Sequence, residues 1–452
     1  MIVTDQYEPM VGGVPTVTKD LARGLSSRGH TVAVVAPGTS PRGAAARPVT
    51  ARGVAGPDDW PAEGEPGWVG HDFPGSVRWP WYEGQRLGLM GKRSAAELMD
   101  RFAPDVVHLH SPLTLGAAAR AAARGRVPVV YTNHYLPLNV WPAAARGPER
   151  LGAASWARDA AFYAYITGFA NRCDHVTAPT ATALRLLHEH GLRVPSQAVS
   201  NGVDLDRFSS GPADAALRAR HELPADRPVI LSVGRLSPEK RADVLIAAMA
   251  RLAAPYPNAV LPRPLLLLAG AGPDEPRLRS LARHYGVADL VRFLGFVPDD
   301  DLPDLYRLAD VFAIASQAEL QSLVTMAALA SGLPVVAADA GALSELVHPA
   351  ENGFLTRPGN VDQTADSLGL LCRDAELRAR MAEASVRIIA DHDRHRLLGR
   401  WESIYRALIS LADRQERPPG HARRAVEPIG QGPARRGTRG LARPNRRTGE
   451  GE

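Results

Sequence analysis

The first half of the chain alternates short apolar runs with longer helical patterns. The apolar runs lack polar alternation, so they predict strands buried on both faces. The predicted strands are Ile2–Thr4, Thr31–Ala36, Asp105–His110, Pro128–Thr132, His175–Ala178 and Gln197–Ser200. The predicted helices include Thr16–Ser27, Glu97–Phe102, Leu115–Ala123 and Thr180–Glu189. Strand–helix alternation of this kind indicates right-handed βαβ units and a parallel sheet.

The strand–helix alternation stops at Asn201–Phe208. A connector with one short predicted helix follows at 209–226, and the alternation begins again after it. The second set of predicted strands is Val229–Val233, Leu265–Ala269, Val291–Phe293, Val311–Ala315 and Pro334–Ala338. The second set of predicted helices is Arg241–Leu252, Glu275–Tyr285, Asp300–Arg307 and Gln321–Ala330. The order predicts two doubly wound α/β domains in series, with ligands bound in a cleft beyond the strand C-termini.

One segment, residues 38–85, breaks this rhythm. It is dense in Gly and Pro and carries five of the large aromatics, Trp60, Trp68, Trp79, Trp81 and Tyr82. Long irregular segments in compact domains are usually functional or mobile. Two interpretations stay open: the aromatics contact a sugar or lipid acceptor, or they pack the loop onto its own domain.

A last helix is predicted at Leu397–Leu411, where Trp401, Tyr405 and Ile409 recur every four residues and form one apolar face. We therefore divide the chain into four parts. They are an N-terminal domain at 1–200, a C-terminal domain at 201–390, a helix at 391–413 that docks back towards the N-terminal domain, and a tail at 414–452.

The basic character of the chain belongs to its tail. The pI is about 9.4 and the net charge is +5. Residues 414–452 contain ten Arg and four Glu, so the remaining body is close to neutral. A tail rich in Arg, Gly and Pro is expected to be disordered. Weak adhesion to anionic lipid or nucleic acid is one interpretation, and a solvated extension is the simpler one; no specific nucleic-acid partner is predicted.

The compartment is predicted from cysteines and apolar runs. The two cysteines, Cys173 and Cys372, form no disulfide or metal-ligand pattern, which indicates free thiols in a reducing compartment. No run of about 18 apolar residues suggests a membrane span. The start, MIVTDQYEPM, is too short and polar for a signal peptide, and its strand begins so abruptly that we expect a truncated or wrongly assigned start. These observations predict a cytoplasmic protein, with peripheral contact at the inner membrane face left open.

Two cations lie on the turn VGRLSPEK, which follows a predicted strand and precedes a helix. Arg235 and Lys240 are placed to hold a diphosphate and to stabilise its charge as a leaving group. The alternative is a solvated surface turn. The Gly270-Ala271-Gly272 sequence after the next strand is weak evidence alone, because it marks many tight turns. Gly12 and Gly13 either admit a ligand to a helix N-terminus or allow close helix–strand packing.

An acidic residue, Glu319, is predicted to open the helix in AELQSLVTMAALASGLP. The unpaired N–H groups of a helix start suit an anion or a polar ligand.

Histidines lie where two predicted strands end: His108 and His110 are at the end of the first strand, and His134 follows the second. They are expected to face the cleft, and His134 is the best candidate for contacting a sugar hydroxyl. A metal site at His108 and His110 is disfavoured because no Asp, Glu or Cys joins them at ligand spacing. The run Asp299-Asp300-Asp301 is explained more simply by helix capping and by complementing the helix dipole than by metal binding.

These motifs together resemble the retaining family 4 glycosyltransferases of GT-B architecture, in which two Rossmann-like domains face a central cleft. The resemblance covers about residues 1–410. In the first half it rests on GGVPTVTKDLARGL, DVVHLHSP and VVYTNH, and at the junction on SNGVDLDRF. In the second half it rests on VGRLSPEKRADVLIAA, LLLLAGAGPDEPRL, VRFLGFVPDDDLPDLYRLADVFAIAS, AELQSLVTMAALASG and ENGFL.

The resemblance implies a role for each matching position. Gly12 and Gly13 would lie against the donor phosphate or the acceptor, and His134 would contact the donor sugar near the reacting centre. The positions that would bind the donor are Arg235 and Lys240 at the diphosphate, Phe296 and Val297 at the base, and Glu319 at the sugar hydroxyls, with backbone N–H groups from Gln321, Ser322 and Leu323. His134, Arg235, Lys240 and Glu319 form the implied catalytic set, with no metal and no cofactor other than the donor substrate.

One position departs from the family pattern. The second acid of the E-x7-E signature, which usually holds the ribose hydroxyls, is replaced by Ala327. Losing a charge-assisted hydrogen bond costs about 1.5–3 kcal/mol, or roughly 10–150-fold in donor affinity. The nearby Glu345 is not expected to substitute automatically.

The predicted function is transfer of a sugar from a nucleotide-diphosphate donor to a hydroxyl acceptor with retention of configuration, by a hexosyltransferase-like enzyme. The acceptor class, whether lipid, glycan or small molecule, stays open. The main alternative is a non-catalytic nucleotide-sugar-binding relative, suggested by Ala327. A sugar phosphorylase, which shares the architecture, is a third.

Overall fold

The computed structural model describes residues 1–37, 48–50, 53–54, 67–73, 76–78, 86–140, 153–253 and 263–416, apart from residues 8, 9, 11, 213 and 225. Two α/β domains succeed each other along the described chain, each built on its own sheet.

The first domain is built on a nine-stranded sheet. Its strands are β1 Ile2–Val3, β2 Thr31–Pro37, β3 Pro48–Thr50, β4 Gly53–Val54, β5 Gly67–Phe73, β8 Val107–Leu109, β9 Val129–Thr132, β10 His175–Ala178 and β11 Ser196–Ala198. Their order is β11-β10-β9-β8-β1-β2-β5-β3-β4, and all pairs are parallel except β3 with β4 and with β5. A separate antiparallel pair joins β6 Ser76–Arg78 to β7 Arg86–Gly88.

The helices of the first domain are α1 Gly13–Ser27, α2 Lys92–Phe102, α3 Thr114–Ala123, α4 Pro137–Val140, α5 Ala153–Ala170 and α6 Ala181–Glu189. Successive strand residues point to opposite faces of the sheet, and helices cover both faces. Val3 and Tyr131 pack into the cluster that contains residues of α2, α3, α5 and α6, whereas Ile2 and Val130 pack into the cluster on the other face with α1.

The second domain has a six-stranded sheet in which every pair is parallel. Its strands are β12 Val229–Val233, β13 Leu265–Ala269, β14 Val291–Gly295, β15 Val311–Ile314, β16 Val335–Ala338 and β17 Gly353–Thr356, in the order β14-β13-β12-β15-β16-β17. Its helices, with the connector helix first, are α7 Ala215–Arg220, α8 Ala242–Ala253, α9 Glu275–His284, α10 Leu302–Leu308, α11 Leu323–Ala330, α12 Val361–Arg373 and α13 Ala375–Ile389.

The last helix, α14 Arg394–Glu416, returns to the first domain. Its Leu398, Trp401 and Tyr405 are buried in one cluster with Ile2 and Leu21. The predicted docking face is therefore correct at Trp401 and Tyr405. It is wrong at Ile409, because Ile404 takes the third core position. A stripe of residues spaced by four drifts around a helix of 3.6 residues per turn, so Ile409 turns out of the interface.

The expectation of an irregular segment at 38–85 is wrong for its described parts. β5 is a seven-residue strand paired in parallel with β2, and β3 and β4 extend the same sheet edge. Glycines within and before WVGHDF obscured a strand that its partner β2 supports. Trp68 lies in β5, whereas Trp60, Trp79, Trp81, Tyr82 and residues 417–452 of the tail lie outside the described residues. None of the described helices is long and apolar enough to cross a membrane.

Candidate active site

The carboxyl ends of both sheets face one cleft of about 1430 Å³ that is lined from both domains. In each sheet the strand order reverses at a central strand, β1 between β8 and β2, and β12 between β13 and β15. Open α/β sheets bind ligands at such switch points. The volume exceeds the roughly 300–1,000 Å³ of a typical one-ligand pocket, so the cleft has room for a donor and an acceptor together.

The cationic turn lies on the second-domain wall of this cleft. The chain leaves β12 through Arg235 and a short 3₁₀ turn at Pro238–Lys240, and both cations line the cleft. The Lys240 Nζ lies 2.7 Å from Oε1 of Glu319. Arg241 ends the turn in the left-handed region with φ of 53°, and its guanidinium bonds to Asp243. A non-glycine residue held there stores strain, which is common at functional turns.

The Gly270-Ala271-Gly272 loop supports the cationic turn. A Cβ on Gly270 would lie 1.9 Å from the Gly234 carbonyl oxygen, and one on Gly272 would lie 2.3 Å from that of Leu236. The Leu236 N–H also donates to the Ala271 carbonyl at 3.1 Å. The two glycines therefore allow the two loops to touch, which fixes the position of Arg235 and Lys240.

Glu319 lies in a loop, so the prediction that it opens the helix is wrong. α11 begins at Leu323, and the hydroxyl of Ser322 caps it by accepting from the Thr325 N–H at 3.3 Å. Serine is a strong N-cap residue, and it fixes the helix start at Leu323, four residues beyond Glu319. The carbonyl of Glu319 accepts from the Ala342 N–H at 2.9 Å, which ties this loop to the one after β16.

The Glu319 loop is also held by the first domain. Ala318 and Leu320, which flank Glu319, are buried in the core cluster of that domain. The Thr180 hydroxyl donates to the Leu320 carbonyl at 2.8 Å. Both domains thus position the Glu319 carboxylate.

Two other residues predicted to bind the donor, Gln321 and Leu323, contact the domain junction and the start of α1. The side chain of Gln321 binds the domain junction: its Oε1 accepts from the Asn201 N–H at 2.7 Å, and its Nε2 donates to the Ser200 hydroxyl at 2.9 Å. Leu323 at the start of α11 faces Gly13 at the start of α1, since a Cβ on Gly13 would lie 3.8 Å from Leu323 Cδ1. The cleft therefore lies between two helix N-termini, whose partial positive charges favour an anion.

Of the three predicted histidines, only His134 lines the main cleft. Its Nε2 lies 2.9 Å from Nδ1 of His110, and the two rings stack. His108 lies behind them, with Nδ1 2.8 Å from the Tyr405 hydroxyl and Nε2 2.6 Å from the Thr132 hydroxyl. The expectation that all three face the cleft is wrong, because the strands carry His108 and His110 into the packing against α14. The described residues hold no His, Cys, Asp and Glu group placed to bind a metal ion.

We predict that low pH lowers the free energy of unfolding of the protein through this histidine cluster. Burial lowers the pKa of His134 from 6.5 to about 4 and lowers those of His108 and His110 well below 6.5. A base with a lowered folded pKa binds fewer protons when folded, so the free energy of unfolding should fall as the pH drops below 6.5. The loss from His134 alone is on the order of 3 kcal/mol by pH 4. Asp5, whose pKa burial raises to about 6, opposes part of this loss.

Urea unfolding from pH 7.5 to 4 would measure the effect. His108→Gln should flatten the dependence because one of the buried titrating groups is gone. An identical pH slope in parent and variant would contradict the role given to His108.

Some of the remaining predicted residues line the cleft, and others have partners elsewhere. Phe296 and Val297 line the cleft after β14, with Phe296 59% exposed, and Ala327 lines it while only 4% exposed. Glu345 is engaged elsewhere, because its carboxylate accepts from the N–H groups of Ala181 and Thr182 at the start of α6. Asp299–Asp301 forms a 3₁₀ turn before α10 without a side-chain cap, so the capping part of the prediction is wrong. The acids do place negative charge near the helix start, as the helix-dipole part of the prediction has it.

Sequence reasoning missed Glu239. It is only 3% exposed, lines the cleft beside Lys240, and accepts a hydrogen bond from the Ser237 hydroxyl. An acid between two cations of one turn was the available signal. Arg158 and Tyr165 on α5 also line the cleft and were missed, because the periodicity of an isolated helix does not show which face meets a second domain.

Comparisons with known proteins agree with this architecture. The family model described as Glycosyltransferase Family 4 matches residues 11–207, and the model described as Glycosyl transferases group 1 matches residues 214–387. The fold is also similar to the crystal structure of Anabaena HepE in complex with UDP-glucose, with a TM-score of 0.67 at 22% identity over 90% of this chain and 99% of that one.

The fold and the cleft are those of a GT-B protein with two Rossmann-like domains. A D-inositol 3-phosphate glycosyltransferase of Stackebrandtia nassauensis is 33% identical over 68% of this chain and 70% of its own length. The same-named protein of Nocardia farcinica is 35% identical, but the match spans 62% of each chain. This chain belongs to glycosyltransferase family 4.

Proposed function

We propose that this protein transfers a sugar from a nucleotide-diphosphate sugar to a hydroxyl acceptor, with retention of the anomeric configuration. The observation that carries the proposal is the 2.7 Å contact between Lys240 and Glu319 beside Arg235, at the switch point of the second sheet. The cations of such a site can bind a diphosphate while the carboxylate binds sugar hydroxyls of the same nucleotide-sugar molecule. The UDP-glucose bound to HepE supports the donor class.

Each side chain has a role in the proposed reaction. Arg235 and Lys240, with the N-termini of α1 and α11, stabilise the charge that develops on the leaving diphosphate. Glu319 orients the donor sugar by accepting hydrogen bonds from its hydroxyls. His134 meets the sugar from the first-domain wall as a neutral ring at pH 7, because burial holds its pKa near 4.

The chemical step needs no separate protein base. The bond between the anomeric carbon and the phosphate oxygen breaks with its electron pair going to the diphosphate. The acceptor oxygen bonds to the same face of that carbon, and its proton passes to a phosphate oxygen. The positive charge around the diphosphate comes from the protein, so we propose a reaction that runs without a metal ion; turnover that survives EDTA would support this.

A donor screen tests the function. Calorimetric titration with UDP-, GDP- and ADP-sugars should identify a donor that binds, and mass spectrometry should then detect a glycosylated acceptor. The anomeric proton coupling of the product would report retention. A protein that binds none of these donors would contradict the proposal.

We predict that Ala327→Glu tightens donor binding. Residue 327 lines the cleft one turn into α11, where a carboxylate could accept from the ribose hydroxyls. The gain expected from such a charge-assisted pair is about 10–150-fold in affinity. Calorimetry with the identified donor measures it.

Ala327→Gln is the matched control, because it adds the same bulk without the charge and should gain much less. If Ala327→Glu binds the donor no better than Ala327→Gln, the assignment of the ribose to this position fails.

Ala327 also favours the second candidate, a nucleotide-sugar-binding protein without catalysis. Donor binding that persists across an acceptor screen with no product would support it. Recovery of turnover in Ala327→Glu would then show that the missing carboxylate is the cause.

A further inference from the structure

The two halves of the cleft differ in chemistry. The second-domain half presents Arg235, Lys240 and Glu319, whereas the first-domain half is largely apolar. Much of the apolar lining of the first-domain half comes from α5 and from the segments after β8 and β9, and it includes Pro112, Leu113, Tyr135, Val140, Phe162 and Ile166.

The face of α5 explains this wall. Arg158, Phe162 and Tyr165 recur every three or four residues and therefore share one helix face, with the small Ala161 between them. Tyr165 is 51% exposed, and its hydroxyl donates to the Pro112 carbonyl at 2.7 Å. That bond fixes an aromatic ring at the cleft wall while leaving half of its surface open to a ligand.

The charged side chains described in this half each lie beside an opposite charge. Among the described residues that line it, these side chains are Asp20 and Arg158 of the first domain and Arg394 of α14. Asp20 lies 3.2 Å from Arg394, and Arg158 donates from Nε and Nη2 to Asp159 at 3.0 and 2.9 Å. A phosphorylated polyol such as the D-inositol 3-phosphate named for the relatives needs cations and many hydrogen-bond partners, and beyond the N-terminus of α1 the described part of this half offers few of them.

We propose that the acceptor is an apolar, ring-bearing alcohol or phenol that packs against the wall formed by Phe162 and Tyr165. This inference rests on the proposed function and names the substrate class of the same site. The acceptor hydroxyl points towards His134 and the donor sugar, and the ring system stays on the first-domain side. The acceptor oxygen displaces the nucleotide diphosphate at the anomeric carbon, and its proton leaves on the diphosphate.

Direct binding to the full-length chain tests the inference independently of turnover. The probes are 2-naphthol and D-inositol 3-phosphate, each titrated by calorimetry with and without saturating UDP. We expect 2-naphthol to bind and D-inositol 3-phosphate to bind at least ten times more weakly. Tyr165→Ala should weaken 2-naphthol binding about 5–10-fold, since an aromatic contact is lost.

Two controls separate ring packing from general damage. Tyr165→Phe keeps the ring but loses the hydrogen bond to the Pro112 carbonyl, so it should bind 2-naphthol more tightly than Tyr165→Ala. Tyr285→Ala removes an exposed tyrosine that does not line the cleft and should change nothing.

Preferred binding of D-inositol 3-phosphate would overturn the inference, as would 2-naphthol binding that is unchanged in Tyr165→Ala. UDP binding without 2-naphthol binding would overturn the acceptor class alone. Binding of 2-naphthol without binding of any nucleotide would instead refute the proposed donor function.

Discussion

Lys240→Ala should lower kcat/KM by about 10²–10³-fold, which is the usual cost of removing one group that stabilises charge in a transition state. Lys240 is expected to act twice. It neutralises the leaving diphosphate, and it holds the Glu319 carboxylate through the 2.7 Å contact. The loss should therefore appear in kcat as well as in the KM for the donor, measured by initial rates with the identified donor and acceptor.

Arg251→Ala is the matched control for this experiment. Arg251 forms an ion pair with Asp362 on the surface, and both side chains are about two-thirds exposed and outside the cleft. Exposed pairs of this kind contribute little, so the variant should keep the parent rate. A Lys240→Ala enzyme within threefold of the parent would remove the cationic turn from the mechanism.

Trp401→Ala should lower the free energy of unfolding by about 3–5 kcal/mol, the usual cost of truncating a buried tryptophan. The indole of Trp401 is buried between α14 and the first domain, with its ring centroid 4.8 Å from that of His108. Removing it leaves a cavity against the histidine cluster. Urea unfolding followed by circular dichroism measures the change.

Leu411→Ala on the same helix is the comparison. Leu411 is 51% exposed, so its truncation should stay within about 0.5 kcal/mol of the parent. Equal losses in the two variants would show that α14 is not held by its Trp401 face.

The strands were the most predictable part of the fold. β10, β12 and β13 lie at the predicted residues. The clearest case is β13, LLLLA, because a fully buried parallel strand carries an unbroken apolar run. β5 was missed because its support comes from pairing with β2, which is distant in sequence. Pairing of this kind leaves no local pattern.

Most of the predicted site residues line one cleft, but the geometry around them was less predictable from the sequence. The proximity of Lys240 to Glu319 agrees with the donor site implied by the family motifs. The start of α11 was misplaced because the capping hydroxyl of Ser322 outweighed the acid before it. The burial of His108 under Tyr405 could not be foreseen, since it depends on a helix nearly 300 residues later.

The loop that carries Glu319 has a consequence for recombining this protein with its relatives. Its flanking side chains, Ala318 and Leu320, belong to the core of the other domain, and Thr180 holds its backbone. A chimera that exchanges the first domain therefore also exchanges the residues that pack against the loop of Glu319. The loop at 318–320 would therefore have to be transferred together with the first-domain residues that it contacts, although the two lie in separate domains of the sequence.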